Sequence, residues 1–242
     1  MTGRPTTTVV DTYISILVFE EIFGKKTPNY APKTNIHPST HNKKEINPHN
    51  TNNTIGDYMS AKTPINLSSC TRLLHPMHTV LVSCIGNTNK PNIITLAWAM
   101  PTSTNPPLIA ISIAPTRHSH TLMEESGEFT VNIPTLETLQ AVYACGSLTG
   151  RSFDKFKKTN LTPLPSKKIK APAIRECIAH LECEVDGQFT TGDHTLFIGK
   201  IVEAYADMGV FNESGYDLKK AHLLYHGGGN NFTILDPKIY KA

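Results

Sequence analysis

Residues 106–134 read PPLIAISIAPTRHSHTLMEESGEFTVNIP, and this stretch decides the fold. Leu108–Ala114 (LIAISIA) is a short apolar run opened by a proline pair and closed by Pro115, the pattern of a buried strand. His118–Ser126 fits one short helix, and Gly127 suits the position just past a helix end. Glu128–Ile133 (EFTVNI) alternates and reads as a second strand.

The flanks extend the same grammar. Upstream, Thr79–Ile85 (TVLVSCI) is β-branched and apolar; Gly86 and the polar turn Asn87–Asn92 follow it, then Ile93–Met100 (IITLAWAM). The two runs read as a hairpin. Downstream, Leu136, Leu139 and Tyr143 share helical spacing in Leu136–Cys145. Thr135 is the expected N-cap, Glu137 favours the first turn, and Gly146 is the expected stop. Ile178–Phe189 and His194–Ala206 read as a second hairpin turning at Thr190–Asp193 (TTGD), with a bulge expected near Gly199. Many strands with a few short helices predict a mainly β fold, a barrel or sandwich with helical decorations.

The chain has 242 residues, enough for one large domain with excess. The excess is legible at the front. Thr6–Phe23 is apolar but short, with Asp11 inside it, and it lacks the length of a membrane span and the layout of a signal peptide. Lys26–Ile55 is rich in Asn, Thr, Pro, His and Lys, with no helix or strand period. Such a segment buries too little apolar surface to offset its ordering entropy. Residues 1–58 are therefore expected to be a low-complexity, disordered extension, with the domain at 59–242.

A net charge of +3 is too mild to argue for nucleic acid or a membrane surface as partner. Five cysteines with no CxxC pair fit neither a disulfide scaffold nor a tetrathiolate zinc site, and point to a reducing, cytoplasmic setting. Cys84 and Cys183 read as small buried apolar residues, and Cys145 lacks an electropositive setting. His75 and His78 are spaced i, i+3, but two histidines do not make a metal site, so no metal is expected.

The chemistry starts at Arg117–His118–Ser119, where a strand end opens a helix. Free backbone N–H groups there attract an anion, and an arginine fork adds charge-assisted bonds. Phosphate is a natural ligand. Ser147–Phe156 (SLTGRSFDKF) is a second candidate, a loop carrying Arg151 and Lys155. Its plain alternative is a solvated loop with an Arg151–Asp154 pair. Asn92–Trp98 (NIITLAW) holds the only tryptophan, and on composition alone Trp98 reads as a core aromatic.

Taken in order, NIITLAW, the stretch quoted at the outset, GRSFDKF, LEC with its GDH turn, and LLYHGGGNNF resemble the flavin reductase-like family, which includes flavoredoxins. The resemblance runs from about Leu74 to about Leu235. It implies an FMN-binding split barrel: an antiparallel Greek-key barrel, usually a homodimer, with the flavin in a groove near the subunit interface. It implies that Thr95, Leu96, Ala97 and Trp98 lie along the isoalloxazine. Arg117, His118 and Ser119 match the phosphate loop, Lys155 matches a further cationic contact, and Arg151 lies beside it. His194 matches a histidine near the flavin or nicotinamide, and Gly228, Gly229 and Asn230 match a late segment of underived role. At the entry to the first strand, Leu74–His78 departs from the family's usual aromatic or basic residue near a proline pair.

The implied function is hydride or electron transfer through FMN, with NAD(P)H or a redox protein as donor. No GxGxxG fingerprint appears, so a nicotinamide would bind transiently over the flavin. With the redox chemistry on the flavin, no catalytic side chain is required. The alternatives are a non-catalytic FMN carrier, or a protein that kept the fold and lost the flavin; intact Arg117, Ser119 and Lys155 argue against the latter.

Overall fold

A computed structural model of the chain describes residues 62–240. The extension read over residues 1–58 lies outside them. After a 3-10 turn at Leu67–Leu74 come β1 (Met77–His78), β2 (Val80–Ile85), β3 (Pro91–Leu96), β4 (Ala99–Thr104) and β5 (Pro107–Ile113). Helix α1 (His118–Ser126) leads to β6 (Glu128–Ile133). Helices α2 (Leu139–Ser147) and α3 (Lys155–Thr159) precede the short strands β7 (Pro163–Leu164) and β8 (Ala173–Ile174). The long pair β9 (Ala179–Thr191) and β10 (His194–Ala206) follows, then β11 (Phe211–Asn212), β12 (Gly215–Tyr216), β13 (Leu224–Gly228) and β14 (Asn231–Ile234).

Seven strands form one sheet in the order β3-β2-β6-β9-β10-β5-β4. Every neighbouring pair is antiparallel, so the two edge strands, β3 and β4, run the same way. They are also consecutive in sequence, joined only by Ala97 and Trp98. Two linking residues span only about 7–10 Å, so opposite edges of the sheet must meet there, which rolls it into a barrel split between β3 and β4. The expected strand Ile93–Met100 is thus a single extended path that bends: its first half is one edge and its second half the other. The first half, β3, forms the expected hairpin with β2, from Val80 opposite Leu96 to Ile85 opposite Pro91, whereas the second half, β4, leaves it to pair with β5.

Period-two alternation sorts the side chains. Val80, Val82 and Cys84 on β2 join Ile111, Phe129, Val131 and Phe197 inside the barrel. Leu81, on the opposite face, packs with Ile93, Val142, Cys145, Phe156, Ile174 and Leu224 in a second core that includes α2 and α3. Strands buried on both faces explain why TVLVSCI reads as a continuous apolar run.

Other local expectations divide. Gly127 closes α1 in the left-handed region at φ 69°, as the sequence suggests. The 136–145 helix begins instead as a 3-10 turn at Leu136–Thr138, and Thr135 makes no side-chain cap. It also runs past Gly146, which is needed for space and not as a stop: a Cβ there would lie 3.3 Å from Cβ of Thr95. The buried thiols of Cys84 and Cys183 are pushed up to about 12 by burial, and that of Cys145 is also raised. His75 Nδ1 sits 2.9 Å from the carbonyl of His226, and His78 packs on Tyr225. Among the described residues no group of three or more His, Cys, Asp or Glu could hold a metal, and no helix is long and apolar enough to cross a membrane.

The β9–β10 ladder shifts register at Ile198/Gly199, where the bulge was expected, and again at Ile201/Glu203. Gly199 packs directly on Phe129 and Cys183: a Cβ would lie 2.9 Å from Cε1 of Phe129 and 3.0 Å from Cβ of Cys183. Overpacking a core of this kind costs about 1–3 kcal/mol. Gly199→Ala should lower the unfolding free energy by that amount, read as a fall in the urea midpoint at unchanged slope, without changing the fold; an unchanged midpoint would show that the barrel yields freely at the bulge.

Candidate functional site

The rolled sheet gathers several chain ends at one rim. Arg117 is the N-cap residue of α1, with extended backbone and no side-chain cap. Its side chain is exposed and makes no ion pair among the described residues. The first turn of α1 carries no acid. First-turn amides of a helix, here those of His118 and Ser119, lack intrahelical acceptors and favour an anion. Ser119 is buried, and its hydroxyl accepts a hydrogen bond from Nδ2 of the equally buried Asn92 at 2.8 Å. Strand β3 thereby fixes the first turn of the helix.

The GRSFDKF segment meets the same place. Arg151 Nη1 donates to the carbonyl of Thr116 at 2.9 Å, bringing its loop against the Arg117 loop. Asp154 does not pair with Arg151; it caps α3 through the Lys157 amide at 3.2 Å. Lys155 is only 4% exposed. Its ammonium donates to the carbonyls of Ile93 and Cys145, each at 2.7 Å. Two of its three N–H groups are therefore committed to backbone, and its charge acts from beneath the rim. Burial first, with Arg117 adding repulsion, depresses Lys155 to about 8. Burial, then Arg151 and Lys155, hold His118 below the usual imidazole range. These basic groups raise one another's cost of charging, and a bound anion would relieve that cost.

The bend supplies the opposite wall. Thr95 is held by its hydroxyl to the carbonyl of Val142 at 2.5 Å, and Leu96 and Ala97 are half-buried. Trp98 is 40% exposed, so the core reading of this tryptophan is corrected. The bend turns the ring outward, where it packs on His194 with centroids 4.9 Å apart. The Trp98 carbonyl accepts from the Ser112 amide at 3.0 Å, which ties the bend to β5. His194 Nδ1 lies 2.7 Å from the exposed Asp193 carboxylate, which this contact holds below the ordinary range. The next residue, Thr195, pairs with Ile113 at the end of β5, just before Pro115–Arg117. Its hydroxyl meets His120 Nε2 at 2.8 Å, and His120 Nδ1 meets Glu124 at 3.1 Å, so α1 is clamped to β10.

The structure thus brings Thr95–Trp98, Arg117–Ser119, Arg151, Lys155 and His194 to one end of the barrel. Gly228 and Gly229 stand apart in the β13–β14 turn, where φ values of 101° and 58° account for the glycines. Sequence reasoning missed Asn92 and His120. Each looks like an ordinary polar residue in an element, and only the tertiary partner reveals its place.

Comparison with known proteins gives a consistent result. Residues 72–232 match the family model described as flavin reductase like domain. An uncharacterized protein of Archaeoglobus fulgidus is 39% identical over 161 residues, covering 66% of this chain and 89% of that one. A ferric-chelate reductase (NAD(P)H) of the same organism is 31% identical over 125 residues, 49% of this chain and 70% of that one. The flavoredoxin of Desulfovibrio vulgaris (Miyazaki F) superposes with a TM-score of 0.67 at 27% identity, covering 74% of this chain and 97% of that one. The family match spans both the strand path that bends at Trp98 and the basic rim, and on this evidence the chain belongs to the flavin reductase-like family.

Proposed function

We propose that the protein binds FMN and transfers hydride or electrons through it, as a flavin reductase or flavoredoxin-like oxidoreductase. The observation that carries this reading is the meeting of Arg117, the acid-free first turn of α1 and the Arg151 loop at the rim where the exposed Trp98 packs on the half-buried His194. One end suits a dianionic phosphate and the other a flat, largely apolar ring.

Arg117 and the amides of His118 and Ser119 would hold the phosphate, and Arg151 flanks them. Lys155 adds positive potential from below while bracing β3 against α2. Thr95, Leu96, Ala97, Trp98 and His194 would border the ring. When bound, FMN supplies the redox chemistry, and the chain supplies binding, orientation and electrostatics. The names of two relatives, an NAD(P)H-dependent ferric-chelate reductase and a flavoredoxin, support NAD(P)H or a redox protein as electron donor. Five free thiols fit a reducing, cytoplasmic setting, and the resemblance implies a homodimer. A non-catalytic FMN carrier is the second reading, since fold and ligand do not by themselves establish turnover.

Protein incubated with FMN should turn yellow and quench flavin fluorescence; a colourless protein without quenching overturns the reading. Bleaching of the bound flavin by NADH or NADPH in a stopped-flow trace marks a reductase. No bleaching by either leaves a redox-protein donor or a carrier.

Arg117→Ala should weaken FMN binding by about 1.5–3 kcal/mol, the scale of a charge-assisted hydrogen bond. Unchanged affinity would remove Arg117 from the phosphate site.

The depressed Lys155 gives a pH signature. An anion favours the protonated ammonium, so binding raises its pKa and takes up protons near pH 8. FMN affinity should hold up to about pH 8 and fall above it. Fluorescence titrations between pH 7 and pH 9 check this, and a flat profile would separate Lys155 from the anion.

A further inference from the structure

Asn92 is 4% exposed, yet its side chain meets two functional segments. Its Nδ2 donates to Ser119 Oγ at 2.8 Å, in the first turn of α1. Its other flank is covered by Gly150, in the loop that carries Arg151. A Cβ on Gly150 would lie 2.6 Å from Asn92 Cγ and still closer to Oδ1. Gly150 is not in the left-handed region, so the glycine is required for space. One buried amide therefore sits between the helix start behind Arg117 and the backbone beside Arg151. The Arg151–Thr116 bond closes the circuit on the surface.

We propose that Asn92 is a positioning residue that sets the spacing between the α1 N-terminus and the Arg151 loop, and so makes the site select a phosphorylated flavin over riboflavin. The proposal rests on the FMN reading above. Two basic segments repel each other, and hydrogen bonds to one phosphate require donors within about 3 Å of its oxygens. Asn92 holds the two segments at a fixed separation before any anion arrives, so that cost is met on folding. The residues bordering the ring, Thr95–Trp98 and His194, make no side-chain bond to Asn92. Its loss should therefore be felt at the phosphate end alone.

The test compares FMN with riboflavin by fluorescence quenching, on the full chain, with melting temperatures recorded in parallel. Asn92→Ala should weaken FMN about tenfold or more and leave riboflavin within about twofold. Gly150→Ala should do the same by pushing on Asn92 from the other side. The double variant should bind FMN no more weakly than Asn92→Ala, because the shortened side chain makes room for the new methyl group. FMN affinity unchanged in folded Asn92→Ala overturns the proposal, and so does a parallel loss of both flavins, which marks a merely structural role. If Asn92→Ala does not fold, Gly150→Ala decides: an unchanged FMN-to-riboflavin preference overturns the proposal. Failure of the wild type to bind either flavin is a separate result, which overturns the FMN reading and this proposal with it.

Discussion

The architecture depends on one covalent constraint. Opposite edges of a seven-stranded sheet are joined by two residues, Ala97 and Trp98. An open sheet of seven strands is about 28 Å from edge to edge at ordinary strand spacing, far beyond the reach of two residues. Rolling the sheet is the only way to satisfy both the ladders and the link. The roll brings the end of β5, the start of β10, the first turn of α1 and the loop after α2 to the same rim. Only the end of β5 and the first turn of α1 among these are close in sequence; the other two segments lie far along the chain from them and from each other. The rim exists because the strand path 91–104 serves two edges.

The price of gathering basic groups there is visible in what surrounds them. Lys155 is buried but bonded to two carbonyls, and Ser119 and Asn92 satisfy each other. Elsewhere buried polar groups do similar service. The fully buried Glu182 accepts from the amides of Lys167 and Lys168 at 2.8 and 2.7 Å. The half-buried Glu128 likewise accepts from Lys170 and Ala171 at 2.7 and 3.0 Å. These two carboxylates clip a lysine-rich loop to β6 and β9. A buried acceptor with a backbone partner avoids the desolvation loss that an unpaired one would suffer.

Much of this was legible in the sequence, for definable reasons. Strands buried on one or both faces leave a strong periodic or apolar signal, so β2, β5, β6, β9 and β10 read correctly to within a residue or two. Gly127 and Gly199 mark places where the backbone requires what only glycine provides. The anion loop was legible because a strand end, a helix start and an arginine coincide at 114–119. The bend at Trp98 was not, since IITLAWAM contains no turn residue and changes sheet edge without reversing. The buried state of Lys155 and the exposed state of Trp98 invert the usual tendencies of those residue types, and only tertiary packing decides them. Asn92 carried no signal, because its partners lie at positions 119 and 150.

Ala97 and Trp98 also occupy a peculiar position for a protein that changes over time. They lie between two ladders and belong to neither. The one hydrogen bond that anchors the bend uses the main-chain carbonyl of Trp98, which any residue provides. Neither ladder's pairing nor that bond is made by a side chain at these two positions. The barrel therefore keeps its framework and the lining of its rim under separate control, and a lineage could retune what the rim accepts while leaving the fold untouched.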